Sequence, residues 1–229
     1  MKSNPKNQQQ KSLPLSLPLF ITFEGGEGAG KTTLINRLKE HLEDAGYSVI
    51  VTREPGGSRL GEQIRDLLLH RLGDIPIGDK AELLLFLAAR AQHVEEVIRP
   101  SLREDKIILC DRFNDSSVAY QGYARGLGMD NVIALSAFAT EGVAPHLTLF
   151  LDIDPQLGLE RASKTVKDNQ LAGKPDRIEA QKQEFHALVR TAFLSIAQQD
   201  PKRVKVINAH DSPDKVFKQA LQLIQTFEK

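Results

Sequence analysis

In the stretch TFEGGEGAGKTT, Thr22 to Thr33, Gly25-x-x-x-x-Gly30-Lys31-Thr32 has the residue types and spacing that bind phosphate. Glycines let successive backbone N–H groups converge on one anion, and a helix opening from the loop adds partial positive charge. Gly25, Gly26, Gly28, Ala29 and Gly30 form the candidate cradle, and Thr33 enters the helix. Lys31 would reach the β- and γ-phosphates of a nucleotide, and the Thr32 hydroxyl would ligate Mg²⁺. Glu27 is the discordant member, because a carboxylate beside an anion cradle repels phosphate unless it faces something else.

The loop alone is compatible with a kinase, an NTPase motor, a GTPase switch or a passive nucleotide-binding module. The guanine-reading pattern N-K-x-D is absent, and no second strand ends in an acidic pair. Further along the chain stands IILCDRF, in which Asp111 suits a Mg²⁺-linked carboxylate and Arg112 a second phosphate. That pairing points to an enzyme with two phosphorylated substrates. Arg53 in TREPGG reads either as a surface arginine before a turn or as a site residue at a strand's carboxyl end, where open α/β sheets bind ligands. Pro55 in the same turn is a candidate cis residue. Phe86 and Arg90, at i and i+4 in LLLFLAARAQH, share a helical face. Phe86 reads equally as core, or as a ring stacked on a base whose edge Arg90 would bond. Ser117, Tyr120 and Gln121 fall within one turn in SSVAYQG, where Tyr120 could close over a sugar and the other two could bond a base.

These residues need a scaffold. A chain of 229 residues, 41% hydrophobic and 26% charged, is long enough to bury a core without disulfides, and its one cysteine, Cys110, permits none. Lys+Arg and Asp+Glu balance at 30 each, so phosphate recognition must come from local clusters. No apolar run approaches the roughly 18 residues that span a bilayer. Residues 1–17 are polar and Pro-interrupted and read as a disordered extension, with a cytoplasmic destination expected. Near-continuous apolar runs at 19–24, 48–54, 106–112, 147–153 and 204–209 read as strands buried on both faces. Helical patterns at 31–45, 59–70, 80–98, 176–199 and 213–227 lie between or after them. The class expected is a three-layer α/β domain over 18–229 with a five-stranded parallel sheet. The polar segment 165–175, TVKDNQLAGKP, reads as a mobile loop.

FEGGEGAGKTT, VTREPGG, LLFLAARAQH, CDRFNDSSVAYQG and PHLTLFLDIDPQLGLERA…DRIE occur in this order at compatible spacing, and together they resemble the thymidylate kinases in their bacterial form. The likeness runs from about residue 19 to 227. It implies a P-loop kinase fold with a lid at about 162–176, ATP and Mg²⁺, conversion of dTMP to dTDP, and a homodimer. Carried over, it implies acceptor-phosphate binding by Arg112 and Arg53, thymine stacking by Phe86, a bond from Arg90 to an exocyclic oxygen, and a deoxyribose against Tyr120. Ser117 and Gln121 match positions near the base, and Glu27 matches an acidic residue facing the sugar 3′-hydroxyl. Gly28 stands where some relatives carry a basic residue, so the γ-phosphate cation is expected from the lid. Arg161 and Arg177 are the first candidates and Lys164 the third, while Lys167 and Lys174 are expected only to solvate the loop. A different nucleoside-monophosphate or deoxynucleoside kinase, and an inert nucleotide-binding regulator, are the alternatives.

Overall fold

Five short apolar segments build the centre of the molecule as parallel strands. Helices cover both faces of the three central ones, while the edge strands keep residues such as Val51 and Val206 exposed, against the expectation of burial on both faces throughout. The computed structural model describes residues 15–71, 76–168, 176–178 and 180–227. The strands are β1 (Leu19–Glu24), β2 (Val49–Arg53), β3 (Ile107–Asp111), β4 (Leu147–Asp152) and β5 (Val204–Asn208), ordered β2-β3-β1-β4-β5. All five lie within a residue or two of the segments read from sequence. Central β1 is buried along its whole length, whereas edge strand β2 is not.

The helices are α1 (Lys31–Asp44), α2 (Arg59–Asp66), α3 (Asp79–His93), α4 (Arg99–Arg103), α5 (Asn114–Ser117), α6 (Met129–Thr140), α7 (Pro155–Asp168), α8 (Gln183–Gln199) and α9 (Pro213–Gln225). Side chains alternate across each strand. Ile21, Leu109 and Leu149 face α1 and α9 through Leu38, Leu42 and Ile224. On the other face, Phe20 meets Phe113 edge-on at 5.1 Å between ring centroids, and Phe150 stacks on Phe193 of α8 at 4.9 Å. The result is three layers.

Three local expectations change. The pattern at 80–98 passes from α3 into a π-helical turn at Val94–Ile98, and the helix expected from 176 begins at Gln183. Residues 114–124, with α5 running into a π-helical turn at Val118–Ala124, and α6 were not anticipated as helical. Of the expected lid, α7 continues to Asp168, and residues 169–175, with Lys174, lie outside the described residues. Residues 1–14 of the expected extension also lie outside them, but Leu15 packs on the core and its N–H donates to the Tyr47 hydroxyl at 3.3 Å. No described helix is long and apolar enough to cross a membrane.

The chain leaves β1 toward β2 on one side, and β4 flanks β1 on the other. The loop after β1 therefore sits at the switch point of the sheet, where α/β folds open a crevice.

Candidate active site

The crevice is a cavity of about 1120 Å³ reaching from the β1–α1 loop to α3. At its floor the chain turns from Glu24 through the glycines into α1, with Gly30 left-handed at φ 89° as the helix N-cap. Lys31 Nζ lies along the loop, donating to the carbonyls of Gly25 at 3.1 Å and Gly26 at 3.2 Å. Gly28 has φ 67°, and a Cβ there would fall 2.0 Å from the Gly158 carbonyl oxygen. In turn, a Cβ on Gly158 would fall 2.4 Å from the Glu27 carbonyl oxygen. The first turns of α7 thus rest directly on the phosphate loop, which explains sterically why position 28 carries no side chain.

Glu27 does face something else. Its Oε1 accepts from Arg112 Nη2 at 2.5 Å, an ion pair joining the loop to the end of β3. Burial pushes the Glu27 carboxyl up, but the charges of Lys31 and then Arg112 outweigh it and bring the pKa down to about 2. Arg112 Nη1 donates to the Tyr120 hydroxyl at 3.2 Å, and its guanidinium lies 5.3 Å from the Tyr120 ring centroid. Burial works against the Arg112 charge, yet Tyr120, Glu27, Asp111 and Glu24 around it raise its pKa and keep it protonated. Buried Tyr120 is pushed up to about 12, so it stays a phenol.

Arg112 adopts φ 69°, a left-handed conformation that a non-glycine residue holds only when its surroundings impose it. Glu24 imposes it. Glu24 Oε1 accepts from the Phe113 N–H at 2.8 Å and Oε2 from the Ser116 hydroxyl at 2.6 Å, which clamps the turn after β3. Burial, reinforced by Asp115, raises the Glu24 pKa to about 7 against the pull of Arg112. Sequence reasoning missed Glu24, although a charged residue closing the apolar run LFITF was a visible signal.

Asp111 and Thr32 open onto the same cavity, and Asp111 Oδ1 is buried with no partner among the described residues. A buried carboxylate oxygen of this kind fits a cation. Arg53 lines the cavity and pairs through Nη2 with Glu62 at 3.0 Å, next to the cis peptide bond preceding Pro55. Arg65 was missed, since nothing in α2 marks it as different from a surface arginine. It lines the cavity and donates to the Pro55 carbonyl at 2.9 Å. Burial, then nearby Arg53, lower its pKa against the opposing charges of Glu62, Asp176 and Asp111.

At the far end, Phe86 and fully buried Arg90 line the wall with Ser117, Tyr120 and Gln121. Arg90 Nε donates to Glu54 Oε2 at 2.7 Å and Nη2 to the Phe113 carbonyl at 3.1 Å, while Nη1 is buried without a partner among the described residues. Glu54 also holds His93 Nδ1 at 3.0 Å, locking Arg90 from behind. His186 of α8 was missed as well. It lines the cavity, and its Nε2 has no described partner.

The lid candidates separate. Arg161, on the α7 turn over Gly28, lines the cavity and donates through Nη1 to the Ala209 carbonyl at 2.8 Å; Lys164 lines it too. Arg177 departs from expectation. Its Nη2 pairs with Glu82 and its Nε donates to the Leu68 carbonyl at 3.1 Å, so it is held at α3 rather than over the loop. A buried carboxylate in want of cations outcompetes an open cavity for that guanidinium.

An anion cradle at the sheet switch point, bridged by Glu27–Arg112 to a second cation cluster, defines a P-loop nucleotide kinase. The comparisons with known proteins agree. The family model "Thymidylate kinase" matches residues 23–220. Thymidylate kinase of Protochlamydia amoebophila is 52% identical over 206 residues, covering 90% of this chain and 92% of that protein. The Clostridium novyi thymidylate kinase is 44% identical over 200 residues, covering 87% and 95%. The crystal structure of thymidylate kinase from Ehrlichia chaffeensis superposes with TM-score 0.69 at 33% identity, covering 90% of this chain and 98% of that one. The chain belongs to the thymidylate kinase family.

Proposed function

We infer that the chain transfers the γ-phosphoryl group of ATP to dTMP, giving dTDP and ADP in dTTP synthesis. The observation that carries this reading is the 2.5 Å Glu27–Arg112 ion pair, which joins the donor-phosphate cradle to an acceptor-phosphate cation. ATP phosphates lie on the loop Gly25–Thr33, and Lys31 follows them. Arg112 and Arg53, with Arg65 beside them, hold the acceptor phosphate in line. Catalysis is then mainly positioning and charge neutralisation. The acceptor oxygen is already ionised and needs no general base. Glu27 keeps a second carboxylate oxygen for the deoxyribose 3′-hydroxyl.

Thr32 and Asp111 would hold Mg²⁺, which binds through one or two carboxylates with phosphates and water. When bound, the ion neutralises charge on the donor phosphates. Arg161 is the cation nearest the loop from the lid side, with Lys164 second; both expectations gain support from their place in the cavity wall. The base stacks on Phe86, and the Arg90 Nη1 proton, buried and without a described partner, meets its O4. Tyr120 packs against the sugar, and Ser117 and Gln121 border the base. We also propose a homodimer packed through helices, supported by exposed Phe138 on α6 and Leu84 on α3, 84% and 58% accessible.

A deoxynucleoside kinase has no use for Arg53, Arg65 and Arg112 converging on a second anion. An inert regulator has no use for Lys31, Thr32, Asp111 and Arg112 intact together. A coupled ADP-release assay with ATP and dTMP, dUMP, dCMP, dGMP or dAMP separates these readings. Turnover is expected to be fastest with dTMP, and turnover with dTMP no better than with the others would remove the assignment.

A further inference from the structure

Glu82 sits one helical turn before Phe86 and two before Arg90, so all three share one face of α3. Its carboxylate is buried and its two oxygens do different work. Oε1 accepts from Gln121 Nε2 at 2.7 Å. Oε2 accepts from Arg177 Nη2 and, at 3.3 Å, from Arg125 Nη2, while Arg125 Nε also reaches Oε1 at a longer 3.4 Å. Burial pushes the Glu82 pKa up, but the bonds from Gln121 and Arg177 and the charge of Arg125 more than offset it, so the group is ionised. An ionised carboxylate only accepts hydrogen bonds. The Gln121 amide, symmetric in shape, is therefore fixed chemically, with Nε2 toward Glu82 and its carbonyl oxygen away from it. Gln121 borders the same cavity as Phe86 and Arg90.

We propose that Glu82 is a positioning residue that sets base specificity: it orients Gln121 so that the amide oxygen accepts from the N3–H of a 4-keto pyrimidine. The inference rests on the dTMP reading above and names what reads the base edge. Arg90 Nη1 donates to O4 and Gln121 Oε1 accepts from N3–H. Cytosine presents a donor at position 4 and an acceptor at N3, so it mismatches both. Uracil matches both, so this device does not separate dUMP from dTMP.

Glu82→Gln makes the device reverse. Two guanidinium donors, from Arg177 and Arg125, meet at the Oε2 position against one long Arg125 contact at Oε1, so the new amide places its oxygen at the Oε2 position and its NH₂ toward Gln121. Gln121 then flips to accept that NH₂ and turns its own NH₂ into the cavity, where N3–H no longer pairs. The dTMP:dCMP ratio of kcat/KM is expected to fall about tenfold, toward the lower end of what a mispaired buried group costs. The fall comes through KM for dTMP, with kcat within about threefold and the dTMP:dUMP ratio within about twofold. Gln121→Met leaves the Glu82 ion cluster intact and should lower the dTMP:dCMP ratio similarly. A wild-type preference for dTMP over dCMP that both variants keep overturns the Glu82 assignment alone. An effect of Glu82→Gln without one of Gln121→Met, or an equal fall in dTMP:dUMP, overturns it too. A wild-type enzyme with no preference for dTMP would remove the dTMP reading and this inference with it.

Discussion

Gly158→Ala sets two physical effects against each other. In a free helix, alanine in place of glycine would stabilise α7 by about 0.5–1 kcal/mol. Here the new methyl would fall 2.4 Å from the backbone carbonyl oxygen of Glu27. A relaxed carbon contact needs roughly 3.5 Å, so helix and loop must part by about 1 Å. Neither side of the contact is a flexible side-chain end that could swing away. Overpacking of this kind costs about 1–3 kcal/mol, and the larger opposing effect wins. The net loss expected is about 1–2 kcal/mol, read as a Tm lower by roughly 2–8 °C for a domain of this size. Function suffers more than stability. The carbonyl struck belongs to Glu27, and the displaced loop carries both Lys31 and the Arg112 bridge. Misplacement of reacting groups by about 1 Å costs on the order of 100-fold. Thermal unfolding together with steady-state ADP release gives both numbers from one preparation. A Gly158→Ala protein as stable as wild type, with unchanged kcat and KM for ATP, would refute the idea that α7 rests rigidly on the phosphate loop.

The same geometry sets further outcomes. Arg112→Ala should lower kcat by about 100-fold or more while ATP still binds by calorimetry; loss of ATP binding would place Arg112 in the donor site. Glu27→Gln should weaken use of dTMP more than use of ATP in kcat/KM, and equal effects on both would contradict its acceptor role. Arg90→Met leaves the Glu54 carboxylate buried with His93 as its one remaining side-chain partner among the described residues, so chemical denaturation should show a loss of about 3–5 kcal/mol. The two glutamates flanking Gly25 and Gly26 make opposite contributions to pH dependence. Glu27, lowered to about 2, contributes stability that is present above pH 4.5 and lost as pH falls through 2. Glu24, raised to about 7, binds its proton more tightly folded than unfolded, so its contribution declines as pH rises from 4.5 to 7. Glu24→Gln should flatten the unfolding free energy between those values, and an unchanged slope would show that Glu24 is ionised throughout.

The strands and the phosphate loop were legible because each is a local pattern. LFITF is broken only by Thr22 and IILC not at all, and glycines at fixed offsets before Lys31 have one dominant reading. Helix α6 was harder, because MDNVIALSAFAT mixes exposed Ile133 and Phe138 with buried Val132 and leaves no clean stripe. Arg112, Phe86 and Arg90, singled out from local motifs, do meet at one cavity, although the residues alone left Phe86 equally a core side chain. The site was illegible where a role depends on a partner far along the chain. Glu24 acts through Ser116, 92 residues on, and Arg177 is drawn away by Glu82, 95 residues earlier. Arg65 and His186 carry no pattern at all and enter the cavity only through the packing of α2 and α8.

The central claim is that this cavity moves one phosphoryl group from ATP to dTMP. The most direct measurement is incubation of the protein with γ-³²P-labelled ATP, dTMP and Mg²⁺, then chromatographic separation of the products. Label recovered in dTDP, with little in inorganic phosphate, is the result expected. Label released only as inorganic phosphate, or carried equally by other deoxynucleotides supplied in competition, would contradict it.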